Sequence, residues 1–304
     1  MKITHEAQFG FSRVFKLNFM EKEIYTPMFF PAVSSVDIKE FESIFNWIIE
    51  KKPNTFLVSA YDIQSALIQN FPIKESILML DSGGYELKHL GNKVSWSLDD
   101  YSNVIKKTNP DIVISLDHPD DKNPIKNYNL LNEILDDDIF LEYTISETNH
   151  SRIPKVLELT LQEIQPNAIA IPERNLGISF IDRINTVSEI SDILQKMENP
   201  ILFHILGCSD PDSILRYANE GVDLFDGLGW YKRAVQYTEI KNGKFEMYAD
   251  WSFIDSSKLS NCNCFVCKKA NKIDHFDRVL SHNILAYSKL CEELQMQTIE
   301  GGSM

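Results

Sequence analysis

The chain has 304 residues, of which 43% are hydrophobic and 11% aromatic, and its formal net charge is −14 at pH 7. This hydrophobic content excludes an intrinsically disordered or low-complexity protein. The acidic balance argues against a protein that coats nucleic acid through its overall field, but it is compatible with a local basic groove. We expect a cytoplasmic protein, because no apolar run reaches about 18–20 residues and the N-terminal sequence is not that of a signal peptide.

Short apolar runs recur along the chain. The first strands are predicted as an N-terminal hairpin, residues 13–19 with 22–25. Most of the later runs are four to six residues long and rich in Ile, Leu, Val or Phe, as parallel strands buried on both faces are. The eight predicted strands are residues 25–33, 55–60, 77–80, 112–116, 139–144, 168–171, 201–206 and 222–225.

Helical patterns separate these strands. The clearest helices are predicted over residues 99–108, 152–165, 178–197 and 211–219. Eight strands alternating with helices indicate an α/β protein with a (β/α)8 TIM barrel. A doubly wound open sheet is the competing interpretation of the same pattern.

Polar residues follow the predicted strands, where (β/α)8 barrels carry their functional groups. Asp81 comes after the third strand, Asp117 after the fourth and Asp226 after the eighth, so three carboxylates converge on one mouth. Gly83 and Gly84 follow Asp81 and let a flat ligand approach the backbone closely. For each aspartate alone, a helix-cap or turn role is the alternative.

Carboxylates beside a stacking aromatic, here Tyr85, suit the exchange of a glycosidic bond. One carboxylate attacks the anomeric carbon and another handles the proton. If the leaving group is a nucleobase, the base must first turn out of its stack into the pocket. Composition and spacing do not by themselves select this base-exchange version.

Three of the five cysteines, Cys262, Cys264 and Cys267, fall within six residues. A disulfide framework would not produce this spacing in a cytoplasmic chain, whereas a structural zinc site would. Either His275 or His282 can supply the fourth ligand. Unrelated cysteines in a loop are the alternative.

The charge is divided unevenly along the chain. Residues 1–225 contain 34 acidic and 20 basic residues, whereas residues 226–304 contain ten of each. Within the second part, residues 230–278 carry nine Lys or Arg against six acidic residues. We therefore divide the chain into a barrel body, residues 1–235, and a zinc-binding subdomain with a C-terminal helix, residues 236–304. Chance variation on solvated helix faces is the alternative explanation of this asymmetry.

These motifs resemble the tRNA-guanine transglycosylase family, which exchanges guanine in a polynucleotide for a 7-deazaguanine base. The resemblance extends from about residue 26 to about residue 290. The segments that carry it are residues 26–31, Asp81-Ser82-Gly83-Gly84-Tyr85, Ile205-Leu206-Gly207, residues 221–226, the cysteine cluster and His282-Asn283.

The resemblance implies a role for each matching residue. Asp226 would be the nucleophile and Asp81 the general acid/base, while Asp117 would bind the purine N–H groups. Tyr85 would stack on the base, and the Gly207 backbone would complete the pocket. Substrate binding is further assigned to Ser82, Gly83, Gly84, Trp230, Lys232 and Arg233.

The last three of these residues directly follow the nucleophile. Trp230, Lys232 and Arg233 are predicted to contact the polynucleotide by stacking and phosphate pairing. An ordinary amphipathic loop with a buried tryptophan is the alternative. In the zinc site, the resemblance favours His282 over His275 and makes the Zn²⁺ structural, because a closed site has no water ligand.

The chain also departs from the family pattern. Glu86 stands where the family has Gln, and residues 142–145 replace its Gln-Gly-Gly. Residues 168–174 and 227–233 differ from the family's segments as well. These departures resemble the DNA-modifying branch most, so a transferase acting on DNA is predicted, with a 7-deazaguanine base as the small substrate. The alternatives are an enzyme acting on tRNA and a non-catalytic RNA-binding subunit; a homodimer or accessory modification proteins are the expected partners.

Overall fold

The computed structural model describes most of the chain. The described residues are 2–19, 22–38, 40–66, 75–90, 96–116, 123–236, 238–241, 244–247, 264–268 and 275–302. Asp117 and Cys262 lie outside them, and of His275 only the backbone is described.

Eight parallel strands close into a barrel. In barrel order they are β4 (Met28–Val33), β5 (Thr55–Ser59), β6 (Ile77–Asp81), β7 (Ile112–Ile114), β8 (Phe140–Thr144), β9 (Ala168–Pro172), β10 (Leu202–Leu206) and β11 (Leu224–Gly227). All eight predicted strands are therefore confirmed, and closure of β10 and β11 onto β4 excludes the open sheet.

Helices connect the barrel strands, as the sequence pattern predicts. They are α1 (Phe41–Lys51), α2 (Ala60–Ser65), α3 (Gly84–Leu90), α4 (Leu98–Thr108), α5 (Pro124–Ile134), α6 (Ile153–Glu163), α7 (Phe180–Leu194), α8 (Pro211–Asn219) and α9 (Gly229–Gln236). Serine caps with Asp three residues later begin α4 and α7, which places these helix starts from sequence alone.

A three-stranded antiparallel sheet precedes the barrel: β1 (Lys2–Phe9), β2 (Ser12–Phe19) and β3 (Lys22–Tyr25). The predicted hairpin of β2 and β3 is confirmed, and β1 adds a strand that the apolar pattern missed because its residues are mostly exposed. Phe15, Leu17 and Phe19 of β2 pack against residues inside the barrel. The sheet therefore closes the end of the barrel at which the strands begin.

Side chains of the barrel strands alternate between two apolar clusters. On β8, Phe140 points into the barrel, whereas Leu141 and Tyr143 pack against the surrounding helices. The same period of two holds on β10, where Leu202 faces inward and Phe203 outward. A residue's position in its strand therefore decides whether it can reach the barrel interior.

The C-terminal part adds the strand pair β12 (Thr238–Lys241) and β13 (Lys244–Met247), the short α10 (Phe265–Lys268) and the long α11 (His275–Gly301). Helix α11 runs along the barrel. Asn283 donates a hydrogen bond to the Trp230 carbonyl (2.9 Å), and Thr298 bonds the Ser12 hydroxyl (2.6 Å). Within the described residues, no helix is long and apolar enough to cross a membrane.

Candidate active site

A cavity of about 310 Å³ opens at the carboxyl ends of the barrel strands. This volume is at the lower end of the ~300–1,000 Å³ typical of small-molecule pockets. Its polar lining residues are Ser34, Asp37, Ser59, Asp81, Tyr85, Glu86, Thr144, Glu173, Arg174, Ser209, Asp226 and Lys232. The predicted mouth therefore brings Asp81, Tyr85 and Asp226 together around one space.

Asp226 lies on β11 with its side chain 10% exposed, facing the cavity. The Gly207 N–H donates a hydrogen bond to Asp226 Oδ1 at 2.8 Å. Gly207 has a φ of +75°, a conformation that glycine adopts without strain. The backbone after β10 thus fixes one carboxylate oxygen of Asp226.

His204 is the second contact of this carboxylate. Its Nε2 lies 3.3 Å from Asp226 Oδ1, and its Nδ1 lies 2.8 Å from Glu142 Oε2. Burial lowers the pKa of His204, but the carboxylates of Glu142 and Asp226 outweigh burial and raise it to about 10. Sequence reasoning missed both His204 and Glu142. The available signal was a charged residue at an inward position of an apolar strand.

Asp81 ends β6 and accepts a hydrogen bond from the Gly83 N–H at 3.2 Å. Glu86, in the first turn of α3, is buried in the lining of the same cavity and accepts a hydrogen bond from the Ser34 hydroxyl at 2.6 Å. Burial and the nearby Asp62 carboxylate raise the pKa of Glu86 to about 7. The cavity lining therefore holds several carboxyl groups. The pKa of one of them, Glu86, lies near neutral pH.

Tyr85 and Lys232 meet at the rim through Asp37. The Tyr85 hydroxyl donates to Asp37 Oδ2 at 3.1 Å, and Lys232 Nζ lies 3.1 Å from Asp37 Oδ1. Arg174, which follows β9, is exposed and also lines the cavity. The cavity thus has an acidic interior and a rim with cations at two positions, Arg174 and Lys232.

The other residues of the Asp-Ser-Gly-Gly-Tyr segment differ in their roles. Gly84 lines the cavity, whereas Ser82 is fully buried and Gly83 packs beneath Tyr61. Gly83 has a φ of +94°, and a Cβ there would lie 2.5 Å from the Tyr61 Cβ. Close packing and backbone conformation therefore require this glycine. Ser82 and Gly83 are not among the residues that line the cavity, and their assignment to ligand binding stays a prediction.

The prediction that Trp230 stacks on a ligand is corrected. Its side chain is fully buried, stacks on Trp47 at 5.8 Å between ring centroids and donates a hydrogen bond to the Ala32 carbonyl at 2.9 Å. Arg233 pairs with Asp210 at 2.8 Å away from the cavity lining. The buried-tryptophan alternative holds here, so Lys232 is the residue of this segment that reaches the cavity.

Cys264, Cys267 and His282 form a buried cluster that can hold a metal ion. His282 Nδ1 lies 3.5 Å from Cys264 Sγ and 3.4 Å from Cys267 Sγ. Cys264 directly precedes α10, Cys267 lies within it and His282 lies in the second turn of α11, so the cluster joins these helices. Of the two candidate histidines, His282 lies beside the cysteines, and the side chain of His275 is outside the described part of the chain.

Two predicted residues lie outside the described part of the chain, so their roles stay predictions: Asp117 and Cys262. A comparison of the chain with models of known protein families gives no match. Chemically, the described residues offer an anchored carboxylate, Asp226, opposite a wall that contains Asp81 and Glu86. Such an arrangement can combine nucleophilic attack with proton transfer.

Proposed function

We propose that this protein is a base-exchange transglycosylase that replaces guanine in a polynucleotide, preferably DNA, with a 7-deazaguanine base. The observation that carries the proposal is that Asp81 and Asp226, matched independently by two sequence motifs, line the same cavity. Two carboxylates that share one site are what covalent glycosyl transfer requires.

In the first half of the reaction, Asp226 Oδ2 attacks C1′ of the target nucleoside. The bond from C1′ to the base breaks, its electron pair leaves with guanine, and Asp81 protonates the departing base. In the second half, Asp81 removes a proton from the incoming base, whose nitrogen attacks C1′. The electron pair of the ester bond returns to Asp226, and both carboxyl groups regain their starting state.

The cavity wall supports binding of a planar base. Gly84 and Gly207 supply backbone without side chains, and Tyr85 supplies an aromatic ring at the rim. Glu86 with a raised pKa can donate as well as accept a hydrogen bond, which an amide at this position would also do. Lys232 and Arg174 are placed to pair with phosphates that flank the target nucleotide.

Zn²⁺ is the metal that the cluster at the start of α11 fits. Bonds of about 2.3 Å to sulfur and 2.0–2.1 Å to nitrogen at a tetrahedral angle place the two donor atoms about 3.5 Å apart. The observed Sγ–Nδ1 separations are 3.5 and 3.4 Å. Cys264, Cys267 and His282 would hold the ion with Cys262 as the fourth ligand, and the metal would stabilise the fold without entering the reaction.

The function is tested by supplying matched duplex DNA and tRNA with labelled guanine or a 7-deazaguanine base. We expect label to enter the DNA, and the base to be retained after denaturation of the protein. Incorporation into tRNA alone would overturn the preference for DNA. Incorporation into neither polymer, together with RNA binding, would replace the proposal with a non-catalytic RNA-binding subunit.

The metal is tested with Cys264→Ser and a matched control, Cys291→Ser. Both cysteines are buried, but Cys291 lies in α11 outside the cluster. We expect one zinc per chain in the wild type and in Cys291→Ser, and loss of bound zinc in Cys264→Ser. A stoichiometric zinc signal in Cys264→Ser would place the metal elsewhere.

A further inference from the structure

Charged side chains occupy the barrel interior directly beneath the candidate nucleophile. Along three strands, an apolar inward residue is followed two positions later by a charged one: Phe140 and Glu142 on β8, Leu202 and His204 on β10, and Leu224 and Asp226 on β11. The apolar members of these pairs belong to the cluster that fills the barrel. The charged members, Glu142, His204 and Asp226, therefore form a charged layer between that core and the cavity.

The charged layer is continuous across β9, which separates β8 from β10. The inward residues of β9 are Ala168 and Ala170, and Ala170 is in register with His204. A methyl side chain leaves room for the longer side chains of the flanking strands to touch above it. This is why Glu142 reaches His204 Nδ1 at 2.8 Å although their strands are not neighbours.

Both Glu142 and His204 are fully buried. His204 also contacts Asp226, so the three side chains form one continuous row of charged groups. Among the residues that the structure describes, Glu142 on β8 and Asp226 on β11 are the charged groups that face the imidazole, and β9 contributes alanine. These two carboxylates keep the pKa of His204 far above that of an exposed histidine. This environment favours the imidazolium form, whose Nδ1–H is hydrogen-bonded to Glu142, whereas Nε2 makes a charge contact with Asp226 Oδ1 at 3.3 Å without hydrogen-bond geometry.

We propose that His204, held by Glu142, is the positioning residue of the nucleophile: it fixes Asp226 Oδ1 together with the Gly207 N–H and leaves Oδ2 to react. This inference rests on the proposed role of Asp226. His204 transfers no proton, unlike the histidine of a serine hydrolase triad, because a carboxylate needs no base to activate it. Its positive charge instead stabilises the Asp226 carboxylate that re-forms when the ester bond to C1′ breaks in the second half of the reaction.

Imidazole ¹⁵N NMR of the wild-type protein tests the charge of His204 without any assay of activity. We expect one histidine to keep protons on both ring nitrogens up to pH 9, and its signal to vanish in His204→Gln. In Glu142→Gln the same ring should titrate at a lower pH, because one of its two counter-charges is gone. A His204 that is neutral at pH 8 in the wild type would overturn the inference, whether or not the protein exchanges bases.

Exchange kinetics then test the positioning role. For His204→Gln and Glu142→Gln we expect kcat to fall about 10–100-fold, the range seen when groups that orient a reacting group are removed, with KM for the base nearly unchanged. Because release of the ester slows most, the covalent adduct should persist longer in His204→Gln than in the wild type. Glu147→Gln, beyond the end of β8, is the matched control with unchanged kinetics.

These measurements separate the two proposals. A doubly protonated His204 in a protein that exchanges no base would refute the transglycosylase and leave Asp226 with another reaction. Normal kcat and adduct lifetime in a folded His204→Gln variant of an active protein would refute the positioning role alone. If His204→Gln does not fold, the isosteric Glu142→Gln and the wild-type NMR titration still decide.

Discussion

One aspartate stands at each end of β11 in almost the same local arrangement: Asp223 directly precedes the strand, and Asp226 lies near its carboxyl end. At the closed end, Asp223 accepts a hydrogen bond from the Phe203 N–H at 2.8 Å and pairs with Arg13. At the open end, Asp226 accepts from a backbone N–H at 2.8 Å and contacts a buried cation. The pairing pattern alone therefore does not distinguish a structural aspartate from a reactive one.

The two aspartates differ in what surrounds the second oxygen of each carboxylate. Asp223 is fully buried under the N-terminal sheet, and burial, opposed by Arg13, raises its pKa to about 6. The Asp226 side chain is 10% exposed and borders the cavity. Asp223 and Arg13 hold the sheet to the barrel, whereas Asp226 is anchored by one oxygen and presents the other to a ligand.

The largest effect is expected at Asp226. In Asp226→Asn we expect base exchange to fall by at least about a thousandfold, because an amide is a poor nucleophile, and no covalent adduct to form. The free energy of unfolding should change little, since the side chain borders a cavity. Labelled-guanine exchange and denaturing gels measure both effects. An adduct that survives in this variant would show that another residue attacks C1′.

At the closed end, Asp223→Asn should have the opposite profile. Removing this carboxylate leaves Arg13 buried without a counter-charge, so the free energy of unfolding should fall by about 3–5 kcal/mol. Activity per folded molecule should stay within about twofold of the wild type. Urea denaturation monitored by circular dichroism measures the loss. The double variant Arg13→Met/Asp223→Leu should regain most of it, because no charge is then buried.

Burial also raises the pKa of a carboxyl group at the open end, that of Glu86. The unfolded Glu86 ionises near pH 4.5, whereas the folded one keeps its proton to about pH 7. As pH rises through this window, the wild type therefore loses up to about 3 kcal/mol of stability that Glu86→Gln does not lose. Unfolding free energies of both proteins at pH 4, 6 and 8 check this. Parallel pH curves for the two proteins would contradict it.

The smallest effect is expected from the lysines at the two ends. Lys232 at the rim is 56% exposed, whereas Lys22 at the closed end pairs with Asp111 at 2.7 Å. Lys232→Met should weaken polynucleotide binding a few-fold and reduce the slope of log affinity against log salt by about 1. Lys22→Met should leave that slope unchanged. Binding isotherms at several salt concentrations compare them, and equal slopes for Lys232→Met and the wild type would remove Lys232 from the phosphate contacts.

Much of the fold follows from local sequence. Apolar runs such as residues 168–171 and 201–206 predict β9 and β10 within one or two residues, because strands buried on both faces need continuous hydrophobic side chains. The Ser179–Asp182 capping box marks the start of α7 in the same way. Strand β1 was not predicted, since its exposed residues carry no such run.

In the candidate site, too, some features follow from local sequence and others depend on three-dimensional contacts. The position of Asp81 and Asp226 at the carboxyl ends of their strands is a property of the sequence, as every strand of a (β/α)8 barrel points its carboxyl end to the same mouth. The cluster of Cys264 and Cys267 with a following histidine is equally local in its spacing. These features need only the strand order, and the sequence by itself determined them.

The tertiary structure alone decided which side chains meet. Glu142 and His204 are 62 residues apart, and their contact depends on barrel closure, strand register and the small Ala170 between them. Packing against Trp47, which lies far earlier in the chain, removes Trp230 from the surface. The same residue types in the same strands would carry different roles if the register shifted, because burial and pairing are set by three-dimensional neighbours rather than by sequence spacing.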